Sequence, residues 1–225
     1  MTKGAALSVR DLVVIGDGGR PILDIPVLEL EPGTTLGIYG PSGAGKTTLL
    51  YALAGLADQM TGRIAWDETD LVGKSRADRA AFRAARIGMI FQDHLLFEEL
   101  SALGNAALPS LYAPRSARAA IRDRAATELE RLGIDAGTRR VASFSGGERQ
   151  RVAVARAMAA DAPILLADEP TASLHRAAAD ALADDLIGAA RSRGRTLVCV
   201  THDDTLLDRM DRKMRISDGR MELAG

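Results

Sequence analysis

One cysteine stands in 225 residues, so no disulfide can close within the chain. Cys199 lies in the apolar run TLVCV, the pattern of a buried strand in a protein of a reducing compartment. Aromatic residues are scarce, with one tryptophan, three tyrosines and four phenylalanines, so the core must be aliphatic and alanine-rich. No apolar run approaches the ~18–20 residues that cross a bilayer, and MTKGAALSVRDL lacks the apolar centre of a secretory signal. These gaps predict a cytosolic chain that reaches a membrane only by docking to another subunit. Net charge is missing too. With 29 Lys and Arg against 30 Asp and Glu, no overall basic field exists to hold nucleic acid or an anionic lipid surface. What is present, 47% hydrophobic and 26% charged residues, is enough for one large globular domain or a core with one insertion.

Apolar and polar residues alternate over ALSVRDLVVI (6–15), break at GDGGRP and alternate again in PVLEL (26–30), which predicts an N-terminal antiparallel sheet. TTLGIYG (34–40) reads as a short strand. After a glycine-rich turn, TTLLYALAGL (47–56) carries leucines at helical spacing. RIAWD (63–67) is a further strand, and residues 75–86 form an arginine- and alanine-rich helix leading into the strand IGMIF (87–91). Residues 92–144 read as mainly helical. APILLADEP (162–170) and RTLVCVTHD (195–203) are continuous apolar runs of the kind found in parallel strands buried on both faces. MRISDGRMEL (214–223) predicts a closing hairpin around Asp218-Gly219.

Three segments carry chemistry. GPSGAGKT, Gly40 to Thr47, fits the phosphate-loop pattern G-x-x-x-x-G-K-[ST]. A strand delivers it and a helix leaves it, so backbone N–H groups and the positive helix end can surround phosphates. Lys46 adds a point charge and Thr47 a hydroxyl for Mg²⁺. ILLADEP ends a buried strand in adjacent carboxylates, Asp168 and Glu169, where isolated acids would be costly. Side chains alternate along a strand, so Asp168 can hold Mg²⁺ while Glu169 faces the γ-phosphate and orients water. In SFSGGERQR, Ser143 to Arg151, Ser145 and Glu148 have the spacing of a capping box. A cap does not need Gly146 and Gly147, whereas close approach of backbone amides to an anion does.

SGGERQR about twenty residues before ILLADEP, together with GPSGAGKTT, Phe91-Gln92 and Thr201-His202, resembles the ATP-binding subunit of ABC transporters over essentially the whole chain. RAARIGMIFQDHLLFEELSALGNAALP is similar to the short subunits of the lipoprotein-releasing, macrolide-export and cell-division group. The resemblance implies an α/β fold with a P-loop NTPase core, a parallel sheet, an N-terminal antiparallel β subdomain and a helical subdomain at about 93–144, within a single domain over 1–225. It implies that Gly40, Ser42, Gly43, Gly45, Lys46, Thr47 and Thr48 form the nucleotide loop. Gln92 would touch Mg²⁺ or the attacking water, Asp168 would support the metal, Glu169 would act as general base and His202 would contact the γ-phosphate. Ser145, Gly146 and Gly147 would reach the γ-phosphate bound by a second copy. The implied working unit is a homodimer with two ATP molecules in its interface, docked on integral membrane permease subunits at the inner face of the cell membrane, with no nucleic-acid partner. The implied activity is ATP hydrolysis coupled to transport. The alternative is the same ATPase pulling on a membrane partner that moves no substrate.

The sequence departs from the family pattern at four places. The aromatic residue that commonly stacks on adenine would fall near Ile15 or Gly16, and neither is aromatic. Ala172-Ser173-Leu174-His175 stands where S-A-L-D is usual, Gly104 replaces the Glu of L-E-N, and the signature begins with Phe144 and has Glu148 where Gln is common. Arg115, Arg118, Arg122 and Arg124 alternate with Asp123, Glu128 and Glu130, which reads as a solvated helix face. His94 has no second His or Cys at ligand spacing.

Overall fold

The N-terminal alternation gives two strands, β1 (Leu7–Ile15) and β2 (Pro21–Leu30), paired antiparallel with Leu7 opposite Leu30 and Leu12 opposite Ile25. This is a computed structural model describing residues 4–16 and 18–222. β2 starts at Pro21, earlier than PVLEL predicts; a proline at the first residue of a strand forfeits no interior ladder bond. Next come β3 (Thr35–Tyr39) and α1 (Lys46–Leu53), then β4 (Met60–Trp66), antiparallel to β1, and the short β5 (Thr69–Asp70). Helix α2 (Arg76–Arg86) starts at Ser75, whose hydroxyl accepts from the Asp78 N–H, and runs into β6 (Ile87–Ile90).

The following region is less helical than its composition predicts. It holds α3 (Ala102–Ala106), a 3-10 turn at 108–111, α4 (Arg115–Arg131) and a second 3-10 turn at 141–143, while 92–100 and 132–140 carry no helix. Pro109 and Pro114 break the pattern, and Gly133 (φ 66°) follows the end of α4. Then come α5 (Gly146–Ala159), β7 (Ile164–Asp168), α6 (Arg176–Ser192), β8 (Thr196–Val200), α7 (Asp204–Asp208), β9 (Arg212–Ser217) and β10 (Arg220–Glu222). The hairpin turns at Asp218-Gly219 as expected, both with positive φ; Leu223, the last position of the expected run, lies outside the described residues. Helix α6 has no counterpart in the sequence reading. Its signal was the recurrence of Ala179, Leu182, Ala183, Leu186, Ile187 and Ala190, all buried, at three- and four-residue intervals.

The ten strands form one sheet in the order β5-β4-β1-β2-β10-β9-β3-β8-β7-β6. From β9 to β6 all pairs are parallel. The antiparallel unit joins them through β10, where Arg220 lies opposite Asp24 and the Asp24 N–H donates to Gly219 O at 2.7 Å. The parallel strands are covered on both faces. Leu165, Ala167, Leu197 and Cys199 enter a core with α4, α5 and α6, while Ile164, Leu166, Val198 and Val200 enter another with α1, β1 and β2. Each fully buried aliphatic side chain contributes about 1.5–3 kcal/mol, so the register of these strands is firmly set. The carboxyl ends of β3, β8, β7 and β6 therefore meet along one edge, the place where α/β sheets bind ligands.

Candidate active site

The loop after β3 is shaped by backbone that only glycine serves well. Gly40 has φ 143°, and a Cβ there would lie 2.0 Å from Ile216 O on β9. Gly45 (φ 98°) begins α1 in the left-handed region, and no side chain caps that helix. The helix start thus presents its amides to the solvent side of the loop, the arrangement that accepts an anion. Lys46 is 7% exposed, and its ammonium donates to Gly40 O and Pro41 O, both at 2.9 Å. Those bonds hold the charge over the loop.

At the end of β7, Asp168 is buried and accepts a 3.3 Å hydrogen bond from the Thr47 hydroxyl through Oδ1, while its Oδ2 has no partner among the described residues. Burial pushes the Asp168 carboxyl above its ordinary range, against the pull of Thr47 and Lys46. A buried orphan carboxylate oxygen beside a hydroxyl and a phosphate loop is an oxygen donor set that suits Mg²⁺, which commonly takes one or two protein ligands and completes its shell with phosphate and water. No cluster of three or more His, Cys, Asp or Glu able to hold a metal occurs among the described residues.

Glu169 leaves the strand with φ 47°, a left-handed conformation rare for a side-chain-bearing residue and typical of functional sites. Its N–H still donates to Val200 O at 2.9 Å. The turn aims its carboxylate at the loop after β8, where the His202 N–H donates to Oε2 at 3.3 Å and His202 Nε2 lies 3.4 Å from Oε1. Burial raises the Glu169 carboxyl, and His202 is the main opposing influence.

These residues line one cleft of about 1090 Å³. Ser42, Gly43, Gly45, Lys46, Thr47 and Thr48 form one wall, and Gln92, Asp168, Glu169 and His202 the other. Gly40 lies at the start of the loop, outside the lining. Ser145, Gly146 and Gly147 are not part of this cleft either. They begin α5, where the Ser145 hydroxyl accepts from the Glu148 N–H and the Glu148 carboxylate accepts from the Ser145 N–H at 2.8 Å, a complete capping box. The two bonds to Ser145, joined by Arg139 at 2.9 Å, hold the Glu148 carboxyl down to about 2. Gly147 is packed, since a Cβ there would lie 2.9 Å from Leu174 Cδ2. Gly146 is not, since a Cβ would meet Ser173 only at 3.8 Å and its φ is not positive.

Sequence reasoning missed two residues, one lining the cleft and one holding the loop that follows Gln92. Arg156, half-buried in α5, donates to His94 O at 2.6 Å and to Leu95 O, pinning the loop after Gln92, and desolvation pushes its guanidinium down to about 10. An arginine inside the apolar run VAVARAMAA was the available signal. Ile22 is 44% exposed at the cleft, hidden from the sequence reading because β2 was expected to start after it.

The ABC transporter family pattern matches residues 23–172. The chain is 39% identical over 219 residues to the lipoprotein-releasing system ATP-binding protein LolD of Syntrophus aciditrophicus, covering 96% of this chain and 98% of that protein. It is 39% identical over 211 residues to the uncharacterized ABC transporter ATP-binding protein YbbA of Escherichia coli K12, covering 92% of each. Among solved structures, the dimeric bacterial ABC transporter cassette MJ0796 superposes with a TM-score of 0.87 at 28% identity, over 96% of this chain and 97% of that one. A post-hydrolysis dimer of the same cassette, bound to ADP and Pi, gives 0.85. With its phosphate loop, paired acids and histidine converging at one sheet edge, this chain belongs to the ABC transporter family as one of its ATP-hydrolysing subunits.

Proposed function

We propose that two copies of this chain close around two ATP molecules, each cleft receiving the Ser145–Gly147 turn of the other copy, and that hydrolysis drives integral membrane permease subunits. The observation that carries this reading is the division of the site. One wall-to-wall phosphate cleft is assembled within the chain, while a second anion-suited helix start, with an unpacked Gly146, stands outside it.

In this reading the loop amides and Lys46 bind the β- and γ-phosphates and stabilise the charge that develops on them. Thr47 and Asp168 would hold Mg²⁺, with Gln92 beside it; when bound, the ion neutralises phosphate charge. Glu169 accepts the proton of the attacking water, and its burial-raised pKa makes it a better base than an exposed carboxylate. His202 fixes the Glu169 carboxylate and faces the γ-phosphate.

An apolar groove of about 370 Å³ runs between α2, β6 and the 108–112 turn, with Leu56, Phe91, Leu108 and Tyr112 in its walls. Tyr112 is 80% exposed and Leu111 63%. Phe91 links the groove to Gln92 in the cleft, so a permease segment seated there would feel the nucleotide. Among the described residues no helix is long and apolar enough to cross a membrane, so attachment to the membrane would run through such a partner. Similarity to a lipoprotein-releasing ATP-binding protein supports a permease of that group.

The test is to purify a tagged chain from solubilised membranes. A polytopic membrane protein should accompany the native chain, and Leu111→Glu with Tyr112→Glu should release it while ATP hydrolysis persists. A partner indifferent to both substitutions, or none at all, overturns the docking.

A further inference from the structure

The segment 172–175, where this chain carries A-S-L-H, leads into a residue the nucleotide reading does not use. Arg176 is the first residue of α6, and its guanidinium reaches across to the loop that carries His202. Nη1 donates to Asp203 Oδ1 at 3.2 Å, Nε and Nη2 donate to the two Asp180 oxygens at 3.2 and 2.9 Å, and Nη2 also contacts the Thr205 hydroxyl. Asp203 is 13% exposed at its side chain, and Arg176 is its one salt-bridge partner among the described residues. The same Asp203 Oδ1 accepts from the Thr205 N–H at 3.0 Å, and the Asp203 N–H donates to the Thr201 hydroxyl at 3.1 Å. The loop from 201 to 205 is therefore tied internally around Asp203, and Arg176 ties that knot to α6.

His202 lies between Thr201 and Asp203. Both of its contacts to Glu169, one from the peptide N–H and one from the ring, depend on where this loop sits. Arg176 lines the cleft as well, yet each of its nitrogens already donates to Asp180 or Asp203, which leaves it poorly placed to bind phosphate itself. The geometry points to Arg176 as a positioning residue: through Asp203 it sets the His202 loop and hence the Glu169 carboxylate. The inference rests on the reading of Glu169 as general base.

A sub-ångström displacement of a base costs rate without costing phosphate binding, because the polar partners of Arg176 among the described residues are Asp180, Asp203 and Thr205 and not the loop from Gly40 to Thr48. Misplacements near 1 Å reduce rates by as much as ~100-fold, and the residual cap on Asp203 limits the movement here, so Arg176→Ala should lower kcat about tenfold with KM for ATP within about twofold of native. Arg176→Lys keeps the charge and loses the fork, so it should recover part of kcat. Asp203→Asn should lower kcat similarly, and the double variant should be no worse than the more damaging single one. Glu169→Gln, measured beside them, separates the two readings. If it retains native hydrolysis, the base is misassigned and this inference falls with it. If it is inactive but Arg176→Ala is within twofold of native, or shifts KM and kcat together, or adds fully to Asp203→Asn, then the base stands and the positioning role is wrong.

Discussion

The phosphate loop and the SGGE turn are both glycine-rich helix starts, and the fold finishes them in opposite ways. At α1 no side chain caps the helix, and Gly40 and Gly45 are demanded by backbone geometry, one by a 2.0 Å approach to β9 and the other by φ 98°. At α5 the cap is complete, with Ser145 and Glu148 satisfying each other, yet Gly146 answers no local demand. The first start is open and needs its glycines to fold. The second is closed and keeps a glycine that folding does not require. In the proposed dimer, the open helix end facing acids and a lysine would be half of a reaction site, and the self-capped end with its unfilled surface position would meet the other copy.

The largest expected effect attacks the first region. Glu169→Gln preserves shape and hydrogen bonding but removes the proposed base, so turnover should fall ~100-fold or more while ATP still binds. Steady-state hydrolysis alongside nucleotide titration measures both. Native turnover in this variant would move the base elsewhere in the cleft.

The second region is best broken at Gly146, because the structure leaves room there. Gly146→Asp meets no backbone strain, keeps the capping box and places an acid in the first turn of a helix, where the dipole favours it. Stability should therefore hold while the added charge repels a facing phosphate. In the Glu169→Gln background, light scattering with ATP and Mg²⁺ should show a dimer that Gly146→Asp loses. A dimer that survives this substitution would mean that α5 does not face the second nucleotide.

The contrast also explains what could be read from sequence. The phosphate loop, the acids and the capping box were legible because each depends on local spacing that a strand or helix converts directly into geometry. Gln92 and His202 were legible only as members of the set, since nothing local distinguishes them from surface residues. Helix α6 escaped because alanine gives little apolar contrast, so AAADALADDLIGAA hides its period until burial reveals it. Arg176 and Ile22 escaped for a different reason. Their roles come from tertiary approach, such as Arg176 reaching Asp203, and no spacing rule encodes that.

A smaller effect separates the capping role of Glu148 from any role at an interface. Its folded pKa, about 2, lies below the ordinary value of 4.5, so its contribution is present above about pH 4.5 and is lost as pH falls through about 2. Glu148→Gln should cost about 1 kcal/mol near neutral pH, as lost caps do, a drop of ~2–4 °C in Tm for a chain of this size. The native and variant melting curves should converge as pH approaches 2. A gap that stays constant with pH would show that the charge of Glu148 is not what stabilises the turn.

The smallest effect concerns the base of the nucleotide, the one part of the ligand for which the cleft offers no aromatic platform. Gly16 and Ile15, the positions where a stacking ring was expected, are not aromatic, and the large apolar side chain in reach is Ile22, 44% exposed beside Gly45. An aliphatic surface would contact any base face without reading its edge, and in the proposed site the loop from Gly40 to Thr48 would touch only phosphates and metal. ATP and GTP should therefore bind within about tenfold of each other. A ring stacked on adenine adds ~0.5–1.5 kcal/mol, so Gly16→Tyr ought to restore preference, and the φ at Gly16 permits it. The obstacle is steric: a Cβ at position 16 would lie 2.8 Å from Ile22 Cγ2, so the isoleucine occupies the space the ring would need. Gly16→Tyr alone should change affinity little, whereas Gly16→Tyr with Ile22→Ala should tighten ATP by up to about tenfold. Fluorescent-nucleotide titrations of the native chain and both variants decide it. A native chain that already prefers ATP a hundredfold would place base recognition on a residue other than Ile22.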